Sequence, residues 1–341
     1  MERYRALSDP DAHCRVRPLE RPDDFDAYWD EVLDALSDIP AAVRKEPDHG
    51  AAAGASFGPP GVSVTRLCFA SLGGKRPAAW LYRPEDRPPE GALVFFPGYS
   101  AACGLPLLRT VLAQLSLAGF AVLAVDPRGQ GESRALHPPA PEGKIVTAAA
   151  DPREYIYRGI AADCVQAVKV LQGLTGFTRV GVFGHSQGGG LALVTASLAP
   201  EAVGAVGCMI PFLTHLAWAM ANRATTGPYQ QVYDFVQQLA LKRPDALAQV
   251  RRSFAYIDTL HHAPRVSAPT LVSVGLRDTT CPPETVYALF SRLDCVRSLL
   301  VLPDAGHEHR PEFYHHQLAW FRHYLAPTPP ECRTLESLGL T

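Results

Sequence analysis

The sequence predicts an α/β fold in which a mostly parallel central sheet carries helices on both faces. Short continuous apolar runs alternate with longer amphipathic stretches over most of the chain. Strands that are buried on both faces read as continuous apolar runs, because side chains on either face meet a helix. Hydrophobic residues make up 47% of the 341 residues and charged residues 19%, which allows a large core. We expect a single domain over residues 1–341, with an N-terminal extension over 1–62.

The first predicted elements lie before this alternation begins. Residues 23–36 place apolar side chains at helical spacing with an acidic first turn, which predicts a helix. Residues 49–61 are rich in Ala, Gly and Pro and are expected to form a loop. The strand patterns at 64–70 and 78–83 flank a Gly-Gly pair, and they predict a hairpin.

The rest of the chain alternates between predicted strands and helices. The strands are expected at 92–97, 120–125, 180–183, 202–210, 269–275 and 298–303. The helices are expected at 105–118, at 153–173, from the glycine-rich stretch after 183 to about 198, and at 311–325. Residues 211–262 depart from the alternation and carry helical patterns of their own. We interpret them as a helical insertion over the carboxyl edge of the sheet, where ligands bind in open α/β sheets.

Residues 184–188 read Gly-His-Ser-Gln-Gly and fall between a predicted strand and a predicted helix. A G-x-S-x-G sequence in that context is typical of a nucleophile elbow, a sharp turn that exposes a reactive serine. The glycines fit this interpretation because a Cβ would clash in so tight a turn. Ser186 is therefore the predicted nucleophile. The amide of Gln187 is one predicted donor to the negative charge that develops on the reacting carbonyl oxygen.

A serine nucleophile needs a base, and in this chain order the base follows an acid. His307 follows the last predicted strand and is the predicted base, whereas His309 and the two histidines of the final helix fit solvated histidines better. The acid should follow the preceding strand, where Asp278 lies. Asp304 is the competing acid, but it lies only three residues before His307 and would have to fold back.

Two further loops are expected to complete the site. Tyr99, after the first strand of the alternation, is the predicted second oxyanion donor, with Ser100 as the alternative. The segment that begins at Arg128 lacks the full G-x-G-x-x-G sequence of dinucleotide sites, so a structural role is expected. Arg128 can brace this edge by donating to several loop carbonyls, and Gln130 is assigned to the same support.

Composition argues against several classes of partner. The net charge is −2 with no long run of either sign, which argues against nucleic acid and anionic membranes. No apolar run reaches membrane-spanning length, and the first residues lack the pattern of a signal peptide. The eight cysteines show no C-x-x-C spacing and the histidines no diagnostic metal spacing, so we expect neither a metal nor a cofactor. Reduced thiols favour the cytoplasm.

Three motifs in this order resemble those of carbohydrate esterase family seven, the acetyl xylan esterases and cephalosporin C deacetylases. They are Arg-Gly-Gln at 128–130, Gly-His-Ser-Gln-Gly at 184–188 and His-Glu at 307–308. The resemblance extends over roughly residues 20–325. It implies the α/β-hydrolase fold for this chain.

The resemblance also implies a function and an assembly. It implies Ser186, Asp278 and His307 as the catalytic triad, with Tyr99 and Gln187 as oxyanion donors. The expected activity is removal of acetyl groups from small substrates, among them short acetylated xylo-oligosaccharides and cephalosporin C. The expected assembly is a homo-oligomer, a hexameric ring whose active sites face an interior cavity. The alternative function is an acyltransferase that uses the same triad to pass an acyl group to a specific alcohol or amine.

Overall fold

The computed structural model describes residues 16–46, 59–222 and 227–325. The strands of this part of the chain are β1 (Arg44–Lys45), β2 (Val62–Cys68), β3 (Ala78–Pro84), β4 (Gly91–Phe96), β5 (Phe120–Asp126), β6 (Val180–His185), β7 (Val203–Met209), β8 (Thr270–Gly275) and β9 (Arg297–Leu302). They form one sheet in the order β1-β2-β3-β5-β4-β6-β7-β8-β9. All pairs among β4 to β9 are parallel, and β3, β2 and β1 extend the sheet beyond β5 in antiparallel pairing. The predicted fold class is therefore confirmed.

The helices surround this sheet. They are α1 (Phe25–Ser37), α2 (Pro106–Leu117), α3 (Ile156–Thr175), α4 (Gln187–Leu198), α5 (Leu216–Ala221), α6 (Gly227–Lys242), α7 (Leu247–Ile257), α8 (Thr259–His262), α9 (Pro283–Ser291) and α10 (Pro311–Leu325). The helix predicted at 153–173 begins three residues later than expected, because the chain first passes through turns. Within the described ranges, no helix has both the length and the apolar character needed to cross a membrane.

The strands from β4 to β8 are buried along their whole length, as their continuous apolar sequences predict. Successive residues of β4 serve opposite faces of the sheet. Leu93 and Phe95 join the apolar cluster that contains the buried faces of α2 and α10. Val94 and Phe96 join the larger cluster on the other face, which contains α1, α3 and α4. Because side chains alternate along a strand, one short apolar run supports both layers of helices.

The hairpin predicted before the alternation is present. Strands β2 and β3 pair antiparallel, with Val62 opposite Pro84 and Cys68 opposite Ala78. The two-residue strand β1 was not predicted, since two residues are too few for a recognisable pattern. Most of the loop predicted at 49–61 lies outside the described residues.

Helices α5 to α8 fall in the segment where an insertion was predicted, and its assignment as a separate unit stays a prediction. Asp258, which precedes α8, joins the two ends of this segment. Its carboxylate accepts from the amides of His215 at 2.9 Å, Leu216 at 2.6 Å and Leu260 at 3.0 Å. Asp258 is fully buried, and burial raises the pKa of its carboxyl to about 6. The start and the end of this segment are thereby held together.

Candidate active site

Ser186 lies in a sharp turn between β6 and α4. Its backbone has φ 55° and ψ −116°, a conformation that L residues rarely adopt and that is found where neighbouring structure enforces it. The surrounding main chain enforces it here. The amide of Ser186 donates to Met209 at 2.9 Å, and its carbonyl accepts from Phe212 at 2.9 Å and from Gly190 at 3.1 Å.

The glycines of this turn are required by close main-chain contacts. A Cβ on Gly188 would lie 1.8 Å from the carbonyl oxygen of Phe96, and one on Gly184 would lie 2.4 Å from the same atom. A Cβ on Gly190 would lie 2.1 Å from the carbonyl oxygen of Phe212. Because both oxygens are backbone atoms, no side-chain movement could relieve these three clashes. The G-x-S-x-G pattern therefore reflects how tightly α4 packs against the strand ends.

Ser186, His307 and Asp278 form a hydrogen-bonded chain. The Nε2 of His307 lies 3.0 Å from the Oγ of Ser186, and its Nδ1 lies 2.8 Å from Oδ2 of Asp278. A carboxylate oxygen only accepts, so Nδ1 carries the proton of the neutral imidazole and Nε2 is left to accept from the serine hydroxyl. The structure thus brings together the three residues predicted as nucleophile, base and acid. Their catalytic roles stay predictions.

The Asp278 carboxylate is held from its other side. Its Oδ1 accepts from the amides of Thr280 at 2.7 Å and Cys281 at 2.8 Å, and its side chain is fully buried. The competing acid, Asp304, lies elsewhere: its side chain is 80% exposed and pairs with Arg277. The geometry therefore favours Asp278 as the partner of His307.

The loops after β8 and β9 are hydrogen-bonded to each other, and this brings the acid and the base into register. The amide of Arg277 donates to Ala305 at 2.9 Å, and that of Leu276 donates to Leu302 at 3.1 Å. Gly275 permits this approach, because a Cβ there would lie 2.7 Å from the carbonyl oxygens of Ala305 and Gly306.

His309 departs from its prediction as a solvated histidine. Its ring stacks on that of His185 with 4.0 Å between centroids, and its Nδ1 is hydrogen-bonded to the hydroxyl of Tyr314. His185 also lies 5.0 Å from the ring of His307. Burial lowers the pKa of both His185 and His309, and repulsion from neighbouring histidines lowers them further. A stack of neutral imidazoles therefore supports the loop that carries the predicted base.

Both predicted oxyanion donors lie at the edge beside Ser186. Gln187 is the first residue of α4, so its amide belongs to the helix turn whose N–H groups have no partner within the helix. Tyr99 follows β4. Its hydroxyl donates to Oε1 of Gln231 at 2.7 Å and accepts from the amide of Ile145 at 2.8 Å. The role of the two amides stays a prediction.

The side chains of Gln130 and Gln187 are hydrogen-bonded to each other close to the two residues that carry these amides. Nε2 of Gln187 donates to Oε1 of Gln130 at 2.9 Å, and Oε1 of Gln187 accepts from the hydroxyl of Tyr157 at 2.8 Å. Nε2 of Gln130 donates to the carbonyls of Gly98 and Ala101, each at 2.5 Å. Gln130 thus contacts the loop that carries Tyr99, which agrees with the supporting role expected for it. Sequence patterns had not indicated Tyr157, which lies in α3.

Arg128 serves the site differently from what the sequence suggested. It donates to one loop carbonyl, that of Leu72, at 2.9 Å, but its main partner is the buried carboxylate of Asp163. Its Nε and Nη2 donate to the two oxygens of that carboxylate at 2.9 and 2.6 Å, and its amide donates at 3.0 Å. This bidentate pair fixes the start of the 128–133 loop against α3. Asp163 carried no signal in the sequence because it lies in a helical pattern.

The arrangement can perform nucleophilic acyl transfer. It offers a buried serine at a helix N-terminus, an imidazole that can take its proton, and a carboxylate that holds the imidazole. In the part of the chain that the structure describes, no group of three or more His, Cys, Asp or Glu side chains is placed to hold a metal ion.

Comparison with known proteins gives a family match over most of the chain. The family described as acetyl xylan esterase matches residues 15–325. An acetyl esterase, Axe7A of Xylanibacter ruminicola, is 29% identical over 184 residues. That match covers 53% of this chain but only 40% of the relative, so this chain spans well under two thirds of the relative's length.

Two solved structures are similar over nearly their whole length. An acetyl xylan esterase from Paenibacillus sp. R4 superposes with a TM-score of 0.80 at 28% identity, covering 94% of this chain and 99% of that protein. Acetyl xylan esterase 1 from Thermoanaerobacterium sp. JW/SL YS485 has a TM-score of 0.80 at 26% identity, covering 92% of this chain and 98% of that one.

Proposed function

Because the chain belongs to the acetyl xylan esterase family, carbohydrate esterase family seven, we propose that it is a serine esterase that removes acetyl groups from small oxygen esters. The observation that carries the proposal is the contact chain from Ser186 through His307 to Asp278. Serine hydrolysis needs these three groups in this order, because the hydroxyl is a weak nucleophile until a base takes its proton.

The first half of the reaction forms an acetyl-enzyme. His307 Nε2 takes the proton of Ser186 as Oγ attacks the acetyl carbonyl carbon. The carbonyl oxygen becomes an oxyanion, which the amides of Tyr99 and Gln187 stabilise. The C–O bond to the alcohol then breaks, and the alcohol leaves with the proton that His307 had taken.

The second half returns the enzyme to its starting state. Water loses a proton to His307 and attacks the acetyl carbon, and the same two amides stabilise the second oxyanion. The bond between Ser186 and the acetyl group breaks, acetate leaves, and Oγ recovers its proton from His307. Asp278 keeps the imidazole in one orientation and stabilises its positive charge in both halves.

The expected substrates are small acetylated molecules, including short acetylated xylo-oligosaccharides and cephalosporin C. Ser186 is only 4% exposed, which supports a substrate whose acetyl group enters a narrow site. The hydrogen bond between Tyr99 and Gln231 supports the same inference, because it joins the loop after β4, which carries a predicted oxyanion donor, to helix α6. In the described residues we find no feature that favours an acyl acceptor other than water, so the acyltransferase alternative is not developed further.

The test is a panel of p-nitrophenyl esters from acetyl to octanoyl, scored by kcat/KM. We expect acetyl to be preferred and Ser186→Ala to lose activity by a factor of at least about 10⁴. A flat profile or a preference for long chains would contradict the deacetylase proposal. Release of acetate from acetylated xylo-oligosaccharides and from cephalosporin C then ranks the two substrate classes.

We propose a homo-oligomer, with a hexamer as the expected form. Exposed leucines at both ends of α2 support an interface along this helix: Leu105 is 46% exposed, Leu107 57% and Leu117 48%. Light scattering on the purified protein tests this, with an expected mass about six times that of the 36.9 kDa chain. A cytoplasmic location is proposed as well. It is supported by the six described cysteines, which are all free thiols.

A further inference from the structure

Lys144 lies behind the oxyanion loop, in a 3₁₀ turn over Lys144–Val146, and is only 4% exposed. We propose that Lys144 is a positioning residue that orients the Tyr99 amide by fixing the side chain of Gln130. The inference rests on the proposed function, because the amide it orients is the proposed oxyanion donor.

The first step of the argument is the peptide that joins Gly98 to Tyr99. Its carbonyl oxygen accepts from Nε2 of Gln130 at 2.5 Å. The peptide unit is planar and trans, so its C=O and N–H point in opposite directions. A hydrogen bond that fixes the direction of the Gly98 carbonyl therefore also fixes the direction of the Tyr99 N–H.

The second step is the orientation of the Gln130 amide. Its Nε2 can face the loop carbonyls only while its Oε1 faces the opposite side. There Oε1 accepts from Nζ of Lys144 and from Nε2 of Gln187, which have only hydrogen atoms to offer in this direction. A flipped amide would place donors against donors on one side and an acceptor against carbonyls on the other. Lys144 and Gln187 therefore set which way Gln130 points.

The third step is the direct hold of Lys144 on Tyr99. Its Nζ donates to the Tyr99 carbonyl at 2.8 Å and lies 4.6 Å from the centre of the tyrosine ring. The peptide on the C-terminal side of Tyr99 is thus bound by Lys144, while the peptide on the N-terminal side is bound by Gln130. Lys144 therefore acts on the first peptide directly and on the second through Gln130, and together these contacts restrict rotation of the Tyr99 backbone.

The burial of this amine also indicates a role beyond stability. Burial lowers the pKa of Lys144 to about 7, and nearby Arg134 lowers it further, whereas Asp126 opposes the shift. No ion pair of Lys144 is found among the described residues. A buried amine without a carboxylate partner is unfavourable for folding, so its contacts to Tyr99 and Gln130 are the explanation that the structure offers.

The experiment compares Lys144→Met with Lys169→Met in the full chain. Lys169 controls for the substitution itself: its Nζ also donates to a main-chain carbonyl, that of Leu36 at 3.4 Å, but the residue is exposed and lies away from the site. Two rates are measured: kcat for p-nitrophenyl acetate, and the rate at which a fluorophosphonate modifies Ser186. For Lys144→Met both should fall about 10- to 100-fold with KM within about threefold, because a misdirected oxyanion donor affects the transition state more than ground-state binding.

Two further readouts separate positioning from a general structural role. The midpoint of thermal unfolding of Lys144→Met should stay within about 3 °C of that of the unsubstituted protein. The variant loses hydrogen bonds, but it no longer has to bury an amine away from water, and the two effects offset each other. Lys144→Met should also lower the rate less than about threefold when added to Gln130→Ala, because both act on one peptide.

The outcomes distinguish this inference from the proposed function. If the unsubstituted protein reacts with neither the ester nor the fluorophosphonate, the proposed function is rejected and the inference with it. If the unsubstituted protein reacts and the rates of Lys144→Met lie within twofold of its rates, only the role of Lys144 is rejected. Full additivity with Gln130→Ala also rejects that role.

Discussion

Oδ2 of Asp278 and Nδ1 of His307 lie 2.8 Å apart, although 29 positions separate the two residues in the chain. The contact depends on the hydrogen bonds between the loops after β8 and β9, and on two amides that hold the other carboxylate oxygen. The imidazole therefore meets an acceptor whose position is already fixed. This arrangement keeps the Nε2 lone pair directed at Ser186.

Asp278→Asn tests this arrangement directly. An asparagine of the same shape places an amide where Nδ1 needs an acceptor, or forces the imidazole into the other tautomer. We expect kcat for p-nitrophenyl acetate to fall about 10³- to 10⁴-fold with little change in KM. The matched control is Asp304→Asn, which changes an exposed carboxylate that pairs with Arg277 and should leave kcat within about twofold. Equal loss in both variants would contradict the assignment of the acid.

The layer architecture was predictable from the sequence because strands buried on both faces leave continuous apolar runs. β4 and β6 are such runs, and the structure places them side by side at the centre of the sheet. The pairing of β3 with β5 was not predictable, because β4 lies between them in sequence and no local pattern records strand order. β1 was missed because it has only two residues.

The residues predicted to form the site lie together, whereas their supports were found only in the structure. Ser186, Asp278 and His307 stand where short local patterns follow strands, and parallel strands bring such positions to one edge. Gln231 meets Tyr99 from 132 positions away, so no local pattern joins them. Lys144 follows a Pro-rich loop, and its burial depends on contacts between distant segments. A lysine in a polar loop gives no indication of being buried.

Gly188→Ala should prevent correct folding of the elbow. The added Cβ would lie 1.8 Å from the carbonyl oxygen of Phe96, a backbone atom that cannot move aside without disrupting β4. We expect loss of both the cooperative unfolding transition and activity, measured by circular dichroism and ester hydrolysis. The control is Gly173→Ala in α3, where the added Cβ would meet no atom within 4 Å outside the adjoining backbone of its own helix. Because alanine favours the helix, that change should raise the free energy of unfolding by about 0.5–1 kcal/mol.

Asp163→Asn should strongly destabilise the protein. Arg128 and Asp163 are both buried, and removing the negative charge leaves the guanidinium uncompensated away from water. We expect the free energy of unfolding in urea to fall by about 3–5 kcal/mol. Asp304→Asn, which breaks the exposed pair with Arg277, should change it by less than about 1 kcal/mol. A small effect at Asp163 would contradict the view that the folded protein depends on this buried ion pair.

Stability should decline as the pH falls below 6.5, because three buried histidines resist protonation. Burial lowers the pKa of His215 and His261 to about 4 and that of His262 to about 3. Between those values and 6.5 the unfolded chain binds protons that the folded protein does not, so acid favours unfolding. Their contribution is fully present above pH 6.5 and is lost as the pH falls.

Asp258 acts in the opposite direction over part of this range. Its pKa is raised to about 6, so between pH 6 and 3.8 the folded protein binds a proton that the unfolded chain does not. It therefore offsets the proton of one histidine, and each buried histidine that is not offset in this way contributes up to about 1.4 kcal/mol per pH unit between pH 6 and 4. Urea unfolding at half-unit intervals measures this slope.

His262→Gln tests how much one of these buried histidines contributes to the loss of stability in acid. The neutral imidazole of His262 donates Nε2–H to the Tyr256 carbonyl at 2.9 Å, and its Nδ1 lies within hydrogen-bond distance of the Ser197 hydroxyl. Glutamine offers a donor and an acceptor but does not titrate. The slope between pH 6 and 4 should therefore fall by about 1.4 kcal/mol per pH unit, even where the variant is less stable at pH 7. An unchanged slope would show that the acid sensitivity arises from other groups, since only the titration of residue 262 differs between the two proteins over this range.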